Sequence, residues 1–141
     1  MDVQAAERLL RANKCSLTPQ RRAILRYLAD NTAHPTAAQI LEAVTREFPI
    51  SSRATVYNTV ALLRELGVLH EVRLPSRESR FDPNVEAHHH FHCTACDALI
   101  DVPAADVSVE LRGDAGGAVG RASVLFEGLC QPCTQRQAAA R

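Results

Sequence analysis

Apolar residues recur at helical spacing along the first half of the chain. The first such stretch covers residues 2–13. The second and third predicted helices begin after Thr18 and Thr36, which are favourable capping residues, and Pro49 ends the third. The pattern therefore predicts three consecutive helices before residue 50.

A fourth helix is predicted from Arg53 to Leu66, capped by Ser51-Ser52 and ended by Gly67. At 100° per residue, one arc of this helix is apolar and the other is polar. The apolar arc holds Val56, Val60, Leu62, Leu63 and Leu66. The polar arc holds Arg53, Tyr57, Asn58, Arg64 and Glu65. An aromatic ring among polar side chains indicates a surface that contacts a partner, although a half-buried core position also explains a tyrosine.

Strand-like alternation replaces the helical pattern after Gly67. The stretch VLHEVRL is followed by a turn at PSRE, and SRFD returns as the partner strand. Helices followed by a β-hairpin are typical of a winged helix-turn-helix, in which the last helix enters the major groove. Residues 1–82 are therefore predicted to form a winged-helix DNA-binding domain.

A hinge is predicted at residues 83–87, and residues 83–141 form the second domain. Strands are expected at His88–Cys93, Ala98–Val102 and Ala122–Phe126. Residues 103–120 are glycine-rich, and we expect only a short, weak helix there. The final QAAAR is expected to be frayed. The predicted fold class is α+β.

Composition and charge narrow the function without changing the fold. Apolar residues make up 46% of the 141, which suits a folded core. No apolar run is long enough to span a membrane. Residues 1–10 are charged and amphipathic, unlike a secretory signal, so we expect a cytoplasmic protein with reduced cysteines. Residues 1–75 carry a net charge of +3 and residues 76–141 carry −3, which favours a polyanion-binding first half.

Cys93-x-x-Cys96 and Cys130-x-x-Cys133 form two pairs with metal-ligand spacing. Four thiolates satisfy tetrahedral Zn²⁺ and leave no open position, so the predicted zinc site is structural. Two thiol-redox pairs are the alternative, but paired CxxC in a reducing compartment favours zinc. Cys15 stands alone and is expected to be a core residue.

Four of the six histidines lie in the stretch HHHFHC. In a strand, His88, His90 and His92 point to one side, and His89, Phe91 and Cys93 point to the other. His88 and His90 can thus reach a second metal ion together, although a solvated histidine cluster is the alternative. His34, Asp82 and Asp101 are further candidate ligands of the kind that suits Fe²⁺, Mn²⁺ or Zn²⁺. Periodicity alone does not bring these residues together.

The motifs LTPQRRAIL, AHPTAAQI, SSRATVYNTV, SRFD, HHHFHCTAC and GLCQPC together resemble the ferric uptake regulator (Fur) family, from about residue 7 to residue 135. Asp82, Asp101 and the sequence ATVYN are closer to the peroxide-responsive PerR branch than to the iron-responsive branch, where glutamate is usual at both acidic positions. The resemblance implies a homodimer with an N-terminal winged helix and a C-terminal α/β dimerisation domain. It also implies repression from A·T-rich inverted repeats when metal is bound.

The resemblance also implies a regulatory Fe²⁺ or Mn²⁺ site, which Zn²⁺ can occupy in vitro. Its ligands would be His34, Asp82, His88, His90 and Asp101. Cys93, Cys96, Cys130 and Cys133 would hold the structural zinc. Peroxide, acting as signal rather than substrate, would oxidise His34 or His88 in the Fe²⁺ form and release the DNA. Two ligands of a further metal site found in some members are absent, since Ala87 and the segment 121–123 occupy those positions.

The DNA contacts divide into phosphate and base contacts. Arg21, Arg22 and Arg64 are expected to contact mostly phosphates. Many family members have Lys or Arg at the position of Ser16 for a minor-groove contact, and here neighbouring Lys14 or Arg11 would take its place. The Tyr57 ring is expected to lie against a thymine methyl group, with Arg53 near base edges or phosphate. Thr55 and Asn58 are further expected DNA-binding residues.

Three other functions compete with a peroxide-sensing repressor. The first is an iron- or zinc-responsive uptake repressor of the same family. Only one methylene at each of two positions, aspartate instead of glutamate at Asp82 and Asp101, separates the two branches here. A zinc enzyme is disfavoured because neither HExxH nor H-x-E followed by P-C-x-x-C occurs, so we expect no enzymatic activity. A zinc-stabilised interaction module without DNA binding is distinguished by a binding assay with A·T-rich duplex.

Overall fold

Helices dominate the first of the two units into which the chain divides, Met1–Val85 and the residues from Glu86 onward. The computed structural model of the protein describes residues 1–75 and 78–140. The described helices of the first unit are α1 (Val3–Ala12), α2 (Pro19–Ala29), α3 (Ala37–Glu47) and α4 (Arg53–Glu65). An antiparallel hairpin follows, formed by β1 (His70–Arg73) and β2 (Ser79–Asp82). The predicted turn at 75–78 includes Ser76 and Arg77, which lie outside the described residues.

Side-chain caps fix where these helices begin. Thr18 accepts a hydrogen bond from the Arg21 amide at the start of α2. Thr36 and Gln39 form a reciprocal capping box at the start of α3. Each cap satisfies backbone N–H groups that have no partner inside the helix. The capped α3 fixes the end of the turn that carries His34.

All four helices and the hairpin contribute to one apolar core in the first unit. The fully buried large side chains include Leu10, Ile24, Leu25, Leu28, Ile40, Val56, Leu63 and Leu69. The apolar arc predicted for α4 is mostly buried, with Leu62 and Leu66 half-buried at its edge. Thr59 is buried on the same side, where its hydroxyl donates to the Thr55 carbonyl at 2.7 Å. The opposite arc of α4 faces solvent.

The second unit is a small sheet ending in a helix. Its strands are β3 (His88–Cys93), β4 (Leu99–Pro103) and β5 (Leu125–Gly128), and its helix is α5 (Gln131–Ala139). β3 lies in the middle, antiparallel to β4 and parallel to β5. Its described buried apolar cluster consists of Cys93, Cys130 and Cys133, against which Phe91, Ala98 and Leu129 pack. The sulfur ligands thus occupy the place of a hydrophobic core.

Two predictions for this unit are wrong. The short, weak helix expected within 103–120 is a single 3-10 turn at Ala104–Asp106, and the rest of this described segment has no regular structure. The last strand begins at Leu125 rather than at Ala122, because Leu125 is the first residue in register with His90. The tail is helical from Gln131 to Ala139.

Among the described residues, no helix is both long and apolar enough to cross a membrane.

Candidate metal centres and nucleic-acid interface

The four cysteines that were predicted from spacing converge in the second unit. Cys93 ends β3, Cys96 follows in the turn before β4, Cys130 caps α5 and Cys133 lies in its first turn. All four Sγ atoms lie within 4.8 Å of one another. The Cys96 and Cys130 Sγ atoms are 3.7 Å apart. Tetrahedral zinc with Zn–S bonds of about 2.3 Å requires sulfur separations of about 3.8 Å. The arrangement fits a structural zinc ion.

Cys93 and Cys130 of this cluster have pKa values shifted in opposite directions. The Cys130 amide donates to Cys93 Sγ at 3.3 Å, and this bond with the Cys96 and Ala95 amides lowers the pKa of Cys93 to about 5. The Cys133 amide lowers the pKa of Cys130, but burial and the neighbouring thiols outweigh it and raise that pKa to about 12. A bound divalent ion would offset the cost of ionising Cys130, because metal binding favours the thiolate form of each cysteine ligand.

A histidine pair and an aspartate form a second cluster in the same unit. The Nε2 atoms of His88 and His90 are 3.0 Å apart, with ring centroids separated by 4.5 Å. Asp101 lies opposite His90 in the register with β4, and its Oδ1 is 3.7 Å from His88 Nε2 and 3.9 Å from His90 Nε2. Both histidines are buried, whereas Asp101 is 44% exposed. Strand alternation and cross-strand pairing together produce this cluster.

The tautomer of His88 is set by a carbonyl outside the cluster. Its Nδ1–H donates to the Glu86 carbonyl at 2.8 Å. In the neutral ring, Nε2 then carries the lone pair and points toward His90 and Asp101. The imidazole is thereby oriented as a metal ligand.

The other two predicted ligands lie together in the first unit. His34 precedes Pro35 in the turn between α2 and α3, and Asp82 ends β2. His34 Nε2 is 3.8 Å from Asp82 Oδ1, and both side chains are 2% exposed. The Phe81 amide donates to the Pro35 carbonyl at 2.9 Å, which ties β2 to this turn. His34 has φ of 52°, a left-handed conformation that histidine adopts more readily than most residues. The local backbone thus holds an imidazole against a buried carboxylate.

His89 and His92, which received no role from the sequence, have separate partners. His89 Nδ1 accepts from the Val124 amide at 3.1 Å. His92 points its Nε2 at Asp97 Oδ1, 2.8 Å away, and its Nδ1 at Glu127 Oε1, 3.4 Å away. Asp97 comes directly after Cys96 and Glu127 precedes Cys130 by three residues. The two carboxylates that contact His92 therefore lie next to the cysteine pairs in the sequence. The sequence analysis did not predict these contacts.

The side chains predicted to meet DNA bases lie on the solvent side of α4. Tyr57 is 47% exposed, which argues against a core position, and the Arg53 guanidinium lies 6.0 Å from its ring centroid. Asn58 is also exposed, whereas Thr55 is half-buried, with its hydroxyl 2.9 Å from that of Ser52. This surface offers an aromatic ring, a cation and an amide side by side.

The side chains predicted to meet phosphates are mostly paired within the fold. Arg21 donates to the Ser16 carbonyl at 2.6 Å, and Arg22 forms an ion pair with Glu7 at 3.3 Å. Arg64 forms an ion pair with Glu71 at 2.6 Å, while Lys14 is exposed with φ of 57°. Their contacts with DNA stay predictions.

Comparison with known proteins places this arrangement in a family. The sequence model of the Ferric uptake regulator family matches residues 12–115. The chain is 34% identical over 139 residues to the peroxide operon regulator of Bacillus subtilis (strain 168), covering 96% of each protein. PerR from Streptococcus pyogenes superposes with a TM-score of 0.55 at 28% identity, covering 93% of this chain and 92% of that one. The Helicobacter pylori ferric uptake regulator Fur superposes with a TM-score of 0.74 at 15% identity, covering 95% of both chains.

These comparisons confirm the predicted fold class, an N-terminal winged helix and a C-terminal α/β dimerisation domain with a structural zinc site. The family sequence model covers most of the chain, and the relative from B. subtilis matches it almost from end to end. The chain belongs to the ferric uptake regulator family.

Proposed function

We propose that this protein is a metal-dependent transcriptional repressor that binds operator DNA as a homodimer and releases it in response to peroxide. The observation that carries the proposal is the ligand chemistry. Histidine pairs with aspartate in each unit, as His34 with Asp82 and as His88 and His90 with Asp101. Similarity to the B. subtilis peroxide operon regulator supports peroxide as the signal. The proposed function is regulatory and not enzymatic.

The proposed regulatory site is one Fe²⁺ or Mn²⁺ ion with ligands from both units. Nitrogen and carboxylate ligands suit these ions and differ from the thiolates that select zinc, although Zn²⁺ would also enter this site in vitro. An ion held by all five side chains would fix one arrangement of the units across the proposed hinge at 83–87. To convert a mostly open population into a mostly closed one, the closed arrangement must bind the ion about 10⁴-fold more tightly. Ligands that are complete only in that arrangement supply such a difference.

Bound Fe²⁺ would supply the electron that cleaves the peroxide O–O bond. The residues placed to be oxidised are His34 and His88, each a proposed ligand. One peroxide oxygen would form a bond to a ring carbon of the imidazole in place of its C–H bond, and the other would leave as water. The oxidised ring would be a poorer ligand, so the ion and then the DNA would be released.

The proposed operators are A·T-rich inverted repeats. One α4 from each protomer would enter the major groove of each half-site. Tyr57 would contact a thymine methyl group, and Arg53, Thr55 and Asn58 would lie near base edges. Arg21, Arg22 and Lys14 would contact phosphates. Such a repressor works where the DNA is, so we propose a cytoplasmic location.

The test combines DNA binding with mass spectrometry. Fluorescence anisotropy measures binding of a labelled A·T-rich inverted-repeat duplex to protein loaded anaerobically with Fe²⁺, with Mn²⁺ or with neither. We expect binding with either ion, and loss of binding after peroxide in the Fe²⁺ form only. Peptides containing His34 or His88 should then carry one added oxygen atom. The His89→Gln variant, altered beside a ligand but not at one, should behave as the wild type.

Two results would contradict the proposal. Failure of either metallated form to bind any duplex would remove the repressor function. Loss of DNA binding after peroxide without oxygen on any histidine would remove the sensing mechanism. In the same samples, zinc released to a chromophoric chelator reports whether the cysteines reacted instead.

An iron- or zinc-responsive uptake repressor is the second candidate, favoured by the single methylene that separates Asp82 and Asp101 from glutamate. If the double variant Asp82→Glu/Asp101→Glu and the wild type both keep DNA binding after peroxide, the protein senses metal supply. If only the wild type loses binding, aspartate at these positions is part of peroxide sensing.

A further inference from the structure

A cleft separates the β-hairpin from the helix predicted to read DNA. Its volume is about 400 Å³. Tyr57, Val60 and Arg64 line it from α4, and Glu71, Ser79 and Phe81 line it from the hairpin. Close-packed side chains transmit position rigidly, and a gap of this size interrupts such packing. Phe81 anchors the hairpin in the core, and a polar interaction beside the cleft adds a direct connection to α4.

Glu71 makes that connection. Its Oε2 accepts from Arg64 Nη1 at 2.6 Å, and its Oε1 accepts from the Ser79 hydroxyl at 2.5 Å. Arg73 Nε lies 3.7 Å from Oε1. One carboxylate thus joins α4 to both strands of the hairpin. The Glu71 side chain is only 15% exposed, and the Ser79 hydrogen bond followed by those with arginine holds its pKa below the ordinary value.

The register places Glu71 on the side of the hairpin that faces the core. Glu71 lies opposite Phe81, which is buried in the core of the first unit. Ser79 is two residues before Phe81 and therefore shares its side of the strand. The carboxylate thus lies at the margin of the apolar core and not on the outer surface of the hairpin. From this position, the hydrogen bonds of the carboxylate can fix the distance between α4 and the hairpin.

We propose that Glu71 is a positioning residue for DNA binding, which fixes the hairpin against the C-terminal end of α4 through Arg64. On this basis Arg64 acts through Glu71, and its guanidinium is committed to that carboxylate instead of a phosphate. In a winged helix, the recognition helix and the hairpin must meet the duplex in one fixed arrangement. This inference rests on the proposed DNA-binding function.

The sign of the effect of Glu71→Gln separates positioning from charge. Removing a negative charge from a DNA-binding unit strengthens binding if only electrostatics matters. A positioning role predicts the reverse. With Mn²⁺-loaded protein and the labelled A·T-rich duplex, we expect Glu71→Gln to weaken binding by roughly tenfold, the scale of one charge-assisted hydrogen bond. The matched control is Glu65→Gln, which removes the same charge from an exposed side chain adjacent to Arg64. It should bind as tightly as the wild type or more tightly.

A double-mutant cycle tests whether Arg64 works through Glu71. If it does, Arg64→Gln and the double variant with Glu71→Gln weaken binding to the same extent as Glu71→Gln alone. The dependence of log affinity on log salt should keep its slope in Arg64→Gln. A phosphate contact by Arg64 predicts additive losses and a slope reduced by about one. Manganese affinity should be unchanged in every variant.

Binding of Glu71→Gln that equals or exceeds that of the wild type overturns the proposal, as does a reduced salt slope in Arg64→Gln. Failure of the wild type to bind any duplex is a different result and refutes the proposed function instead. Circular dichroism checks that each variant is folded at the assay temperature. If Glu71→Gln is not folded, Ser79→Ala, which removes one of the same hydrogen bonds, takes its place with the same expected direction.

Discussion

Removal of the structural zinc should unfold the second unit and leave the first one folded. Among the described residues, the buried apolar cluster of the second unit consists of the zinc ligands Cys93, Cys130 and Cys133. The first unit has a core of its own to which all its helices contribute. Because the two units differ in what holds them together, loss of metal should separate their stabilities.

The size of the effect follows from the composition of that cluster. Structural zinc contributes about 10–16 kcal/mol of apparent binding free energy at neutral pH. The whole stability of a typical domain is about 5–15 kcal/mol. A unit whose buried cluster is made of metal ligands has too little other apolar burial to replace a contribution of that size. We therefore expect complete loss of structure in β3, β4 and β5 and not a modest shift of a melting temperature.

Cys96→Ser tests this with little disturbance of packing, because Cys96 is the exposed member of the ligand set. Hydrogen exchange measured by mass spectrometry should show lost protection in residues 88–128 and native protection in α1 to α4. The matched control is Cys15→Ser, which alters a half-buried cysteine of the first unit and should retain zinc and protection throughout. A zinc-free Cys96→Ser protein whose sheet amides stay protected would show that packing alone holds this unit, and the reasoning would be wrong.

Three further predictions concern single side chains. Leu63→Ala, which truncates a fully buried residue of α4, should lower the free energy of unfolding of the first unit by about 2–5 kcal/mol in urea titrations, whereas Leu9→Ala, at a 40% exposed position, should cost less than about 0.5 kcal/mol. Asp101→Asn should lower Mn²⁺ affinity by at least about tenfold in calorimetric titration while zinc content stays constant; unchanged affinity would exclude Asp101 as a ligand, and Asp106→Asn is the exposed control. Because the folded-state pKa of Glu71 lies below its ordinary value of 4.5, ionised Glu71 stabilises the fold above that pH, and this contribution is lost as the pH falls through the lowered pKa. Glu71→Gln should therefore lose less stability than the wild type on acidification below pH 4.5, and equal losses in urea midpoints would contradict the assignment.

Periodicity was sufficient for α4, of which one face is buried. β3 also has the bounds predicted for it, but five of its six residues are buried, so burial covers both of its faces and its sequence has no apolar period. The apolar arc of α4 predicted its buried face, and Thr59 was missed because its burial depends on a hydroxyl bonded to the preceding turn. The buried face of α4 is readable because burial on one side imposes a period on the sequence.

Periodicity failed where metal ligands or isolated pairings determine the structure. α5 has Cys133 as its one buried residue, so its sequence carries no apolar period. It begins at the capping residue Cys130 with Pro132 in the first turn, and its alanines and glutamines are good helix formers. Residues 107–124 are irregular although they contain apolar residues, because Val109, Leu111 and Val119 are exposed and the glycines of this segment disfavour a helix.

The two ligand sets differ in how far sequence could assemble them. The cysteine site can be predicted from the sequence alone, because CxxC places two sulfurs within reach of one ion and two such pairs complete a tetrahedron. The histidines and aspartates come from a turn, a strand end, a strand and its neighbour, and only the resemblance to a family gathered them. Within each unit the structure supplies the physical reason, through the tie between Phe81 and Pro35 and through the register that sets Asp101 opposite His90.

β3 also explains why the histidine–aspartate cluster and the cysteine cluster are adjacent without sharing side chains. Side chains at successive positions of a strand leave on opposite sides, so His88 and His90 face away from Cys93. The same strand pairs with β4, which supplies Asp101, and with β5, which leads to Cys130. The soft thiolates and the harder nitrogen and oxygen ligands are thus kept apart by the pleat, and each cluster presents one kind of donor to a metal ion. Because β3 carries members of both clusters, we expect loss of zinc also to disturb the imidazoles of His88 and His90.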